Sequence, residues 1–237
     1  MYRSLDAEKI VETVRTLRDR IKERFPEAGL ARVADDLLHV AEKAAVSAKP
    51  ISRPLLPLRI GIGVLVIAFV AMLGWLGWEM RILKISAQVD RFTELFQGMD
   101  SALNMVLLAG GGIFFLFTME QRLKRNRALR YLHELRSLAH VVDMHQLTKD
   151  PETILNRGPR TASSPRRTMT RFELSRYLDY CSEMSSLIGK IAALYVQHYE
   201  DPVVLSSVDQ IEDLTAGLSR KAWQKIMINN QVADEED

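Results

Sequence analysis

Two long apolar stretches, residues 60–78 and 102–119, interrupt an otherwise charged and polar chain. Neither stretch contains an Asp, Glu, Lys or Arg residue. Each is close to the ~20-residue length with which a helix crosses a ~30 Å hydrocarbon layer. The pattern therefore predicts two transmembrane helices, over residues 59–80 and 102–119.

The N-terminal part shows the three- and four-residue apolar spacing of amphipathic helices. Helices are expected over residues 6–25 and 27–48, separated at Pro26 and closed into a cytosolic helical hairpin over residues 1–48. Residues 49–58 contain three prolines. Because proline removes a helical hydrogen bond and its ring clashes with the preceding turn, this segment is predicted to be a stiff linker rather than helix interior.

The connection between the two spans, residues 81–101, repeats apolar residues at helical spacing and is predicted to be an extracytoplasmic amphipathic segment. Gly98 is expected to end it, and Asp100 or Ser101 to cap the second span. Beyond the second span, the helix is expected to continue through a basic juxtamembrane segment over residues 120–149.

Residues 150–170 are rich in Arg, Ser and Pro and are predicted to form a linker. Thr170 and Glu173 then match a capping box at the start of a C-terminal helical region, residues 171–230. Gly217 is expected to break that region before its final segment. No stretch has a convincing strand pattern, so the fold class is predicted to be all-α, with an acidic tail over residues 231–237. The two spans are expected to form a transmembrane hairpin, and the N- and C-terminal regions a cytosolic helical bundle or coiled-coil-like assembly.

The distribution of basic residues predicts the orientation in the membrane. Four Lys or Arg residues lie within residues 43–59, next to the start of the first apolar stretch, three lie in the connection, and six follow the second span within residues 120–136. Basic residues concentrate on the cytoplasmic side. Both termini are therefore expected in the cytoplasm, in a multi-pass protein of the plasma membrane. The short layout, without organelle signals, favours a bacterial origin.

The glycines of the two spans are candidate contact points between helices, because small residues let helices approach closely in lipid. An alternative is that the glycines in the middle of the second span form a hinge or line an oligomeric pore together with Asn104. The predicted packing glycines are Gly61, Gly63, Gly74, Gly77, Gly110, Gly111 and Gly112.

The basic residues after the second span could contact anionic lipid headgroups, which attract such clusters by about 1 kcal/mol per charge. The simpler interpretation is that they act only as a topology signal. No nucleic-acid partner is expected, because no aromatic residues interleave with the arginines of residues 156–171 to stack bases. The candidate lipid contacts are Arg122, Lys124, Arg125, Arg127 and Arg130.

His133, His140, Asp143 and His145 form the only cluster that resembles metal ligands. His145 lies about 140° around the helix from His140 and does not join the other three easily. His133 and His140 are two helical turns apart, roughly 10 Å along the axis, which one ion does not bridge. No metal site and no cofactor are predicted. Cys181, the single cysteine, falls on an apolar helix stripe, which favours a buried and inert thiol. No catalytic motif is present, so an enzyme is not expected.

These features favour a non-enzymatic, two-pass membrane protein that acts as an interaction or regulatory module through its cytosolic helices. Its expected partners are the lipid bilayer and either further copies of itself or a cytosolic protein. The alternative is an oligomeric pore or membrane-disrupting effector triggered through those helices; in layout the chain resembles small two-span effectors of bacterial defence systems. A metal-dependent enzyme using the histidines is a third hypothesis.

Overall fold

The computed structural model describes residues 4–51, 53–82, 91–149, 151, 169–197 and 199–234. Throughout these residues every regular element is helical, as predicted. The chain divides into a helical unit, Met1–Ser52 with Arg125–Asp237, and an apolar unit, Arg53–Lys124. The helices are α1 (Ala7–Arg24), α2 (Gly29–Ile51), α3 (Leu56–Ile82), α4 (Arg91–Leu147), α5 (Arg171–Val196) and α6 (Pro202–Asp234).

In the helical unit, α1 and α2 lie antiparallel. Arg15 Nη2 is 2.9 Å from Glu42 Oε1, and nearer the turn Lys22 Nζ is 2.7 Å from Asp35 Oδ1. Asp6 begins α1 as an N-cap, with its carboxylate accepting hydrogen bonds from the next backbone N–H groups. The apolar stripe of α1 predicted from the sequence is buried in full: Ile10, Val14, Leu17 and Ile21.

Helix α6 runs parallel to the part of α4 that belongs to the helical unit, and their contacts keep a nearly constant offset. Arg125 binds Asp201, Arg136 Nη2 donates to Gln210 Oε1 at 2.6 Å, and Lys225 Nζ donates to the carbonyl of Gln146 at 2.7 Å. The partners are separated by 76, 74 and 79 residues. Helices α4 and α6 therefore lie side by side over about seven turns.

Helix α5 packs antiparallel to α6 and passes through the centre of the unit. The apolar stripe predicted for it runs from Leu174 to His198. It is buried from Leu174 to Tyr195, and His198 lies outside the described residues. The Thr170–Glu173 capping box is present in full, as predicted. Burying a large apolar side chain contributes about 1.5–3 kcal/mol relative to leaving it exposed, so this helix anchors the core.

Three expectations about helix ends are wrong. Helix α2 continues through Pro50 to Ile51, because Ile51 packs into the core and offsets the one helical bond that the proline loses in the last turn. Helix α4 begins at Arg91 and passes through Gly98. Helix α6 passes through Gly217, because one half-buried glycine costs only about 1 kcal/mol against the cooperative stability of a 33-residue helix.

Parts of six predicted segments lie outside the described residues. They are residues 1–3 of the N-terminal hairpin, 52 of the Pro-rich linker, 83–90 of the connection, 150 and 152–168 of the Arg-rich linker, 198 of the C-terminal region and 235–237 of the acidic tail. Helix α6 extends to Asp234, so the helix includes the first part of the predicted tail.

Candidate functional site

The apolar unit contains two helical stretches that are long and apolar enough to cross a membrane. In each of them the most apolar 18-residue window has none of its residues buried. Leu108 is 79 % exposed and Val64 is 61 % exposed. Water-soluble proteins rarely expose continuous apolar surface larger than a few hundred Å². This surface is therefore chemically suited to lipid or to another apolar partner.

The predicted packing glycines of the two stretches have open space around them. A methyl group built at any of the seven meets no atom within 4 Å among the described residues that could contact it. The role of these glycines in helix packing stays a prediction. If they do pack against a helix, the space they leave is filled by something other than the described part of this chain.

Glu120 lies where α4 leaves its apolar stretch, and it is only 2 % exposed. Its carboxylate accepts hydrogen bonds from the Leu55 N–H at 3.3 Å and from Arg59 Nε at 3.4 Å. Lys124 Nζ lies 2.8 Å away. The hydrogen bond from Lys124 is the main reason that the pKa of Glu120 falls below its ordinary value. Sequence reasoning missed this carboxylate, which joins the start of α3 to α4.

The five candidate lipid contacts differ in how far their charges are available. Lys124 is 6 % exposed and paired with Glu120, and the Arg125 guanidinium is bound to Asp201. Arg122, Arg127 and Arg130 are exposed. A charge that already has a carboxylate partner has less to gain from a lipid phosphate. The predicted lipid contact, which remains a prediction, therefore narrows to the three exposed arginines.

At the opposite end of the helical unit from Arg125, His145 packs against α2 and α5. The Tyr177 hydroxyl lies 3.1 Å from His145 Nδ1. A methyl group built on Gly29 would meet His145 Cε1 at 2.7 Å, so only glycine leaves room for the ring. Burial lowers the pKa of His145, with Lys149 and Arg32 adding repulsion. The residues around this imidazole line an open cavity of about 410 Å³.

The three weak metal candidates are not brought into one site. His133 and His140 are exposed on α4, and Asp143 Oδ1 lies 3.9 Å from Lys221 Nζ. Among the residues that the structure describes, no group of three or more His, Cys, Asp or Glu side chains is placed to hold a metal ion.

Cys181, on α5, is completely buried in the core, and burial raises its pKa to about 12. Its thiol stays protonated at neutral pH and is a poor nucleophile there. Burial also raises the pKa of Tyr195 to about 12, although Ser47 lies within hydrogen-bonding distance of its hydroxyl. These groups pack the core.

Neither protein-family models, nor curated proteins, nor solved structures match this chain. The physical features of its two units define an all-helical protein. Two of its helices are apolar enough to cross a membrane, and a separate helical unit has its own apolar core.

Proposed function

We propose that this chain is a two-pass integral membrane protein whose helical unit lies in the cytosol and acts as a non-enzymatic interaction or regulatory module. One contrast carries the proposal. The helical unit buries its apolar stripes, from Ile10 in α1 to Leu218 in α6, whereas the apolar windows of α3 and α4 bury none of theirs. The same chain is thus suited to water in one part and to hydrocarbon in another.

The surroundings of the two spans support this orientation. The exposed arginines Arg122, Arg127 and Arg130 follow the second span, on the side where basic residues concentrate in the cytoplasm. Glu120 ties the start of α3 to the same end of α4. In the proposed arrangement this carboxylate holds the two spans together as a hairpin where they meet the cytosol.

A regulatory module is favoured over an enzyme because several of the described polar and nucleophilic groups serve the fold. Asp201 caps α6, Lys225 binds the last carbonyls of α4, and the Cys181 thiol is sealed in the core. The exposed surface of the helical unit, which includes Met144, is available to bind a partner.

Membrane topology is the first test. Single cysteines are introduced into a Cys181→Ser background at Ser4, Ser86 and Ser206, and intact bacterial spheroplasts are treated with a membrane-impermeant maleimide. We expect labelling of Ser86→Cys alone, and labelling of all three after lysis. Protein that alkaline carbonate extracts from the membrane, or labelling of Ser4→Cys in intact cells, contradicts the proposal.

An oligomeric pore is the second candidate, and the open space at Gly110, Gly111 and Gly112 favours it. Ion flux through vesicles that contain the purified chain separates the two functions. An interaction module gives no flux above that of empty vesicles and tolerates Gly111→Ser better than a polar change at the buried Ile188. A pore gives flux that Gly111→Ser alters while the chain still assembles.

A further inference from the structure

The apolar stretch of α4 carries one amide side chain, Asn104, and the structure shows no hydrogen bond to it from the described residues. Asn104 is exposed, and the residues near it on α4, such as Leu107 and Leu108, are apolar. In hydrocarbon, an amide without a hydrogen-bonding partner is costly. If α4 spans a membrane over residues 102–119, Asn104 lies in the outer turn of the span, and its carboxamide has no hydrogen-bonding partner among the described residues of this chain.

Asn104 does not stand alone on its helix face. Gly111 follows it by seven residues and Thr118 by fourteen, each at nearly the same angle around the axis because seven residues make close to two turns. A seven-residue repeat is the spacing with which two helices stay in contact along a left-handed crossing. We call this line of Asn104, Gly111 and Thr118 the α4 seam.

The three residues of the seam differ in whether their polar groups are already hydrogen-bonded and in the space around them. The Thr118 hydroxyl is already satisfied, because it donates to the carbonyl of Phe114 at 2.8 Å. Gly111 has no atom within 4 Å of the position that a methyl group would occupy. The seam therefore combines one unsatisfied amide with open space two turns away that would let another helix approach.

We infer that the α4 seam binds the α4 seam of a second copy of this chain. Copies inserted with one topology present parallel α4 helices, so around a symmetry axis each residue of the seam faces its own counterpart. A carboxamide has both donor and acceptor atoms and is complementary to itself, whereas a carboxylate or an ammonium group is not. Asn104 of one copy can thus satisfy Asn104 of the next. The inference rests on the proposed membrane insertion and extends it to the partner.

The test uses the full chain with Cys181→Ser in lipid vesicles at high lipid excess. Leu108→Cys lies beside the seam, and Val106→Cys lies on the opposite side of the helix as the matched control; both positions are exposed. Under mild oxidation we expect a disulfide-linked dimer from Leu108→Cys and several-fold less from Val106→Cys. Equal cross-linking at both positions, or a monomer mass for the unmodified chain in nanodiscs, overturns the inference.

The role of the amide is tested on the Leu108→Cys background. Adding Asn104→Leu is expected to lower the dimer-to-monomer ratio by about three- to twentyfold, the range for one interhelical hydrogen bond in a membrane. Asn104→Gln in place of Asn104→Leu keeps an amide and is expected to preserve most of the dimer-to-monomer ratio. An unchanged ratio with Asn104→Leu contradicts the inference, and so does cross-linking in cells to a different protein in place of a second copy.

Flotation of every variant with the vesicles separates the seam from the membrane insertion. Asn104→Leu makes the span more apolar, so it does not weaken insertion. Variants that float without cross-linking contradict the seam alone. If the parent chain itself fails to float, the proposed membrane insertion is wrong and the seam fails with it.

Discussion

The Arg125 guanidinium binds the Asp201 carboxylate through two nitrogens, with Nε 2.9 Å and Nη2 2.8 Å from Oδ2. Asp201 Oδ1 also accepts hydrogen bonds from the backbone N–H groups of Val203 at 3.0 Å and Val204 at 3.2 Å. One carboxylate thus caps α6 and attaches its start to α4. Burial by itself raises the pKa of Asp201, but the Arg125 hydrogen bonds and the two N–H groups outweigh it and lower the pKa below its ordinary value.

Removing this carboxylate is expected to loosen the start of α6. Asp201→Ala should lower the free energy of unfolding by about 2 kcal/mol, because it deletes an N-cap and leaves Arg125 without its partner. Asp201→Asn keeps the cap and should cost less. Urea unfolding of the full chain in one detergent, followed by circular dichroism, measures both variants. Equal losses would show that the cap contributes nothing.

The histidine at the other end of the helical unit predicts a loss of stability in mild acid. Burial holds the pKa of His145 below its ordinary value in the folded chain. The unfolded chain therefore binds more protons below about pH 6.5, so the free energy of unfolding falls as the pH drops through that value and levels off below the folded pKa. Thermal unfolding between pH 8 and pH 5 measures this slope. His145→Gln should reduce it, whereas His140→Gln, at an exposed position on the same helix, should not.

Two glycines of the helical unit should respond oppositely to alanine. In Gly29→Ala the new methyl group meets His145 Cε1 at 2.7 Å, and the ring cannot turn away without losing its hydrogen bond to Tyr177. A loss of about 1–3 kcal/mol is expected. Gly217→Ala enters open space inside α6 and should gain about 0.5–1 kcal/mol. Denaturant midpoints in the same detergent measure both. A gain from Gly29→Ala would mean that the imidazole is not confined.

Lys225 should stabilise the end of α4 through charge-assisted hydrogen bonds. Its Nζ donates to the carbonyl of Gln146 at 2.7 Å and to that of Lys149 at 3.1 Å. The Gln146 carbonyl, in the last turn of α4, also accepts a hydrogen bond from the Lys149 N–H at 3.1 Å, and a cation there interacts favourably with the negative end of the helix dipole. Lys225→Met is expected to cost about 1–2 kcal/mol. It should also speed amide hydrogen exchange in the last turn of α4.

The matched control is Lys221→Met, one helical turn earlier on α6. Its ammonium group is 60 % exposed and lies 3.9 Å from Asp143, so its loss should change stability little. If both variants have the same effect, the contribution of Lys225 reflects general charge rather than binding to the end of α4.

Much of the helical framework could be predicted because its signals are local. The stripe of α1, the capping box of α5 and the cap of α6 at Asp201 each depend on residues within a turn or two of one another. The helix ends that were predicted wrongly are those where distant packing decides the outcome. Ile51 extends α2 past Pro50 only because it reaches a core built by other helices.

The candidate sites show the same difference between local signals, which the sequence contains, and long-range contacts, which it does not show. The sequence identified the Arg122–Arg130 cluster by composition, and the fold then pairs two of its members, with Arg125 bound to a carboxylate 76 residues away. The sequence only set His145 apart from the other metal candidates, because nothing near it in the chain indicates that Gly29 and Tyr177 lie against its ring.

By itself, the sequence determined that this protein is helical and that two of its stretches suit a membrane, because periodicity and apolar length are properties of single segments. It also determined which face of each helix in the helical unit is buried. The tertiary structure alone decided which helix covers that face and in which register. That choice depends on the shape and charge of side chains far apart in the chain, as when Arg125 meets Asp201 and Lys225 meets the end of α4.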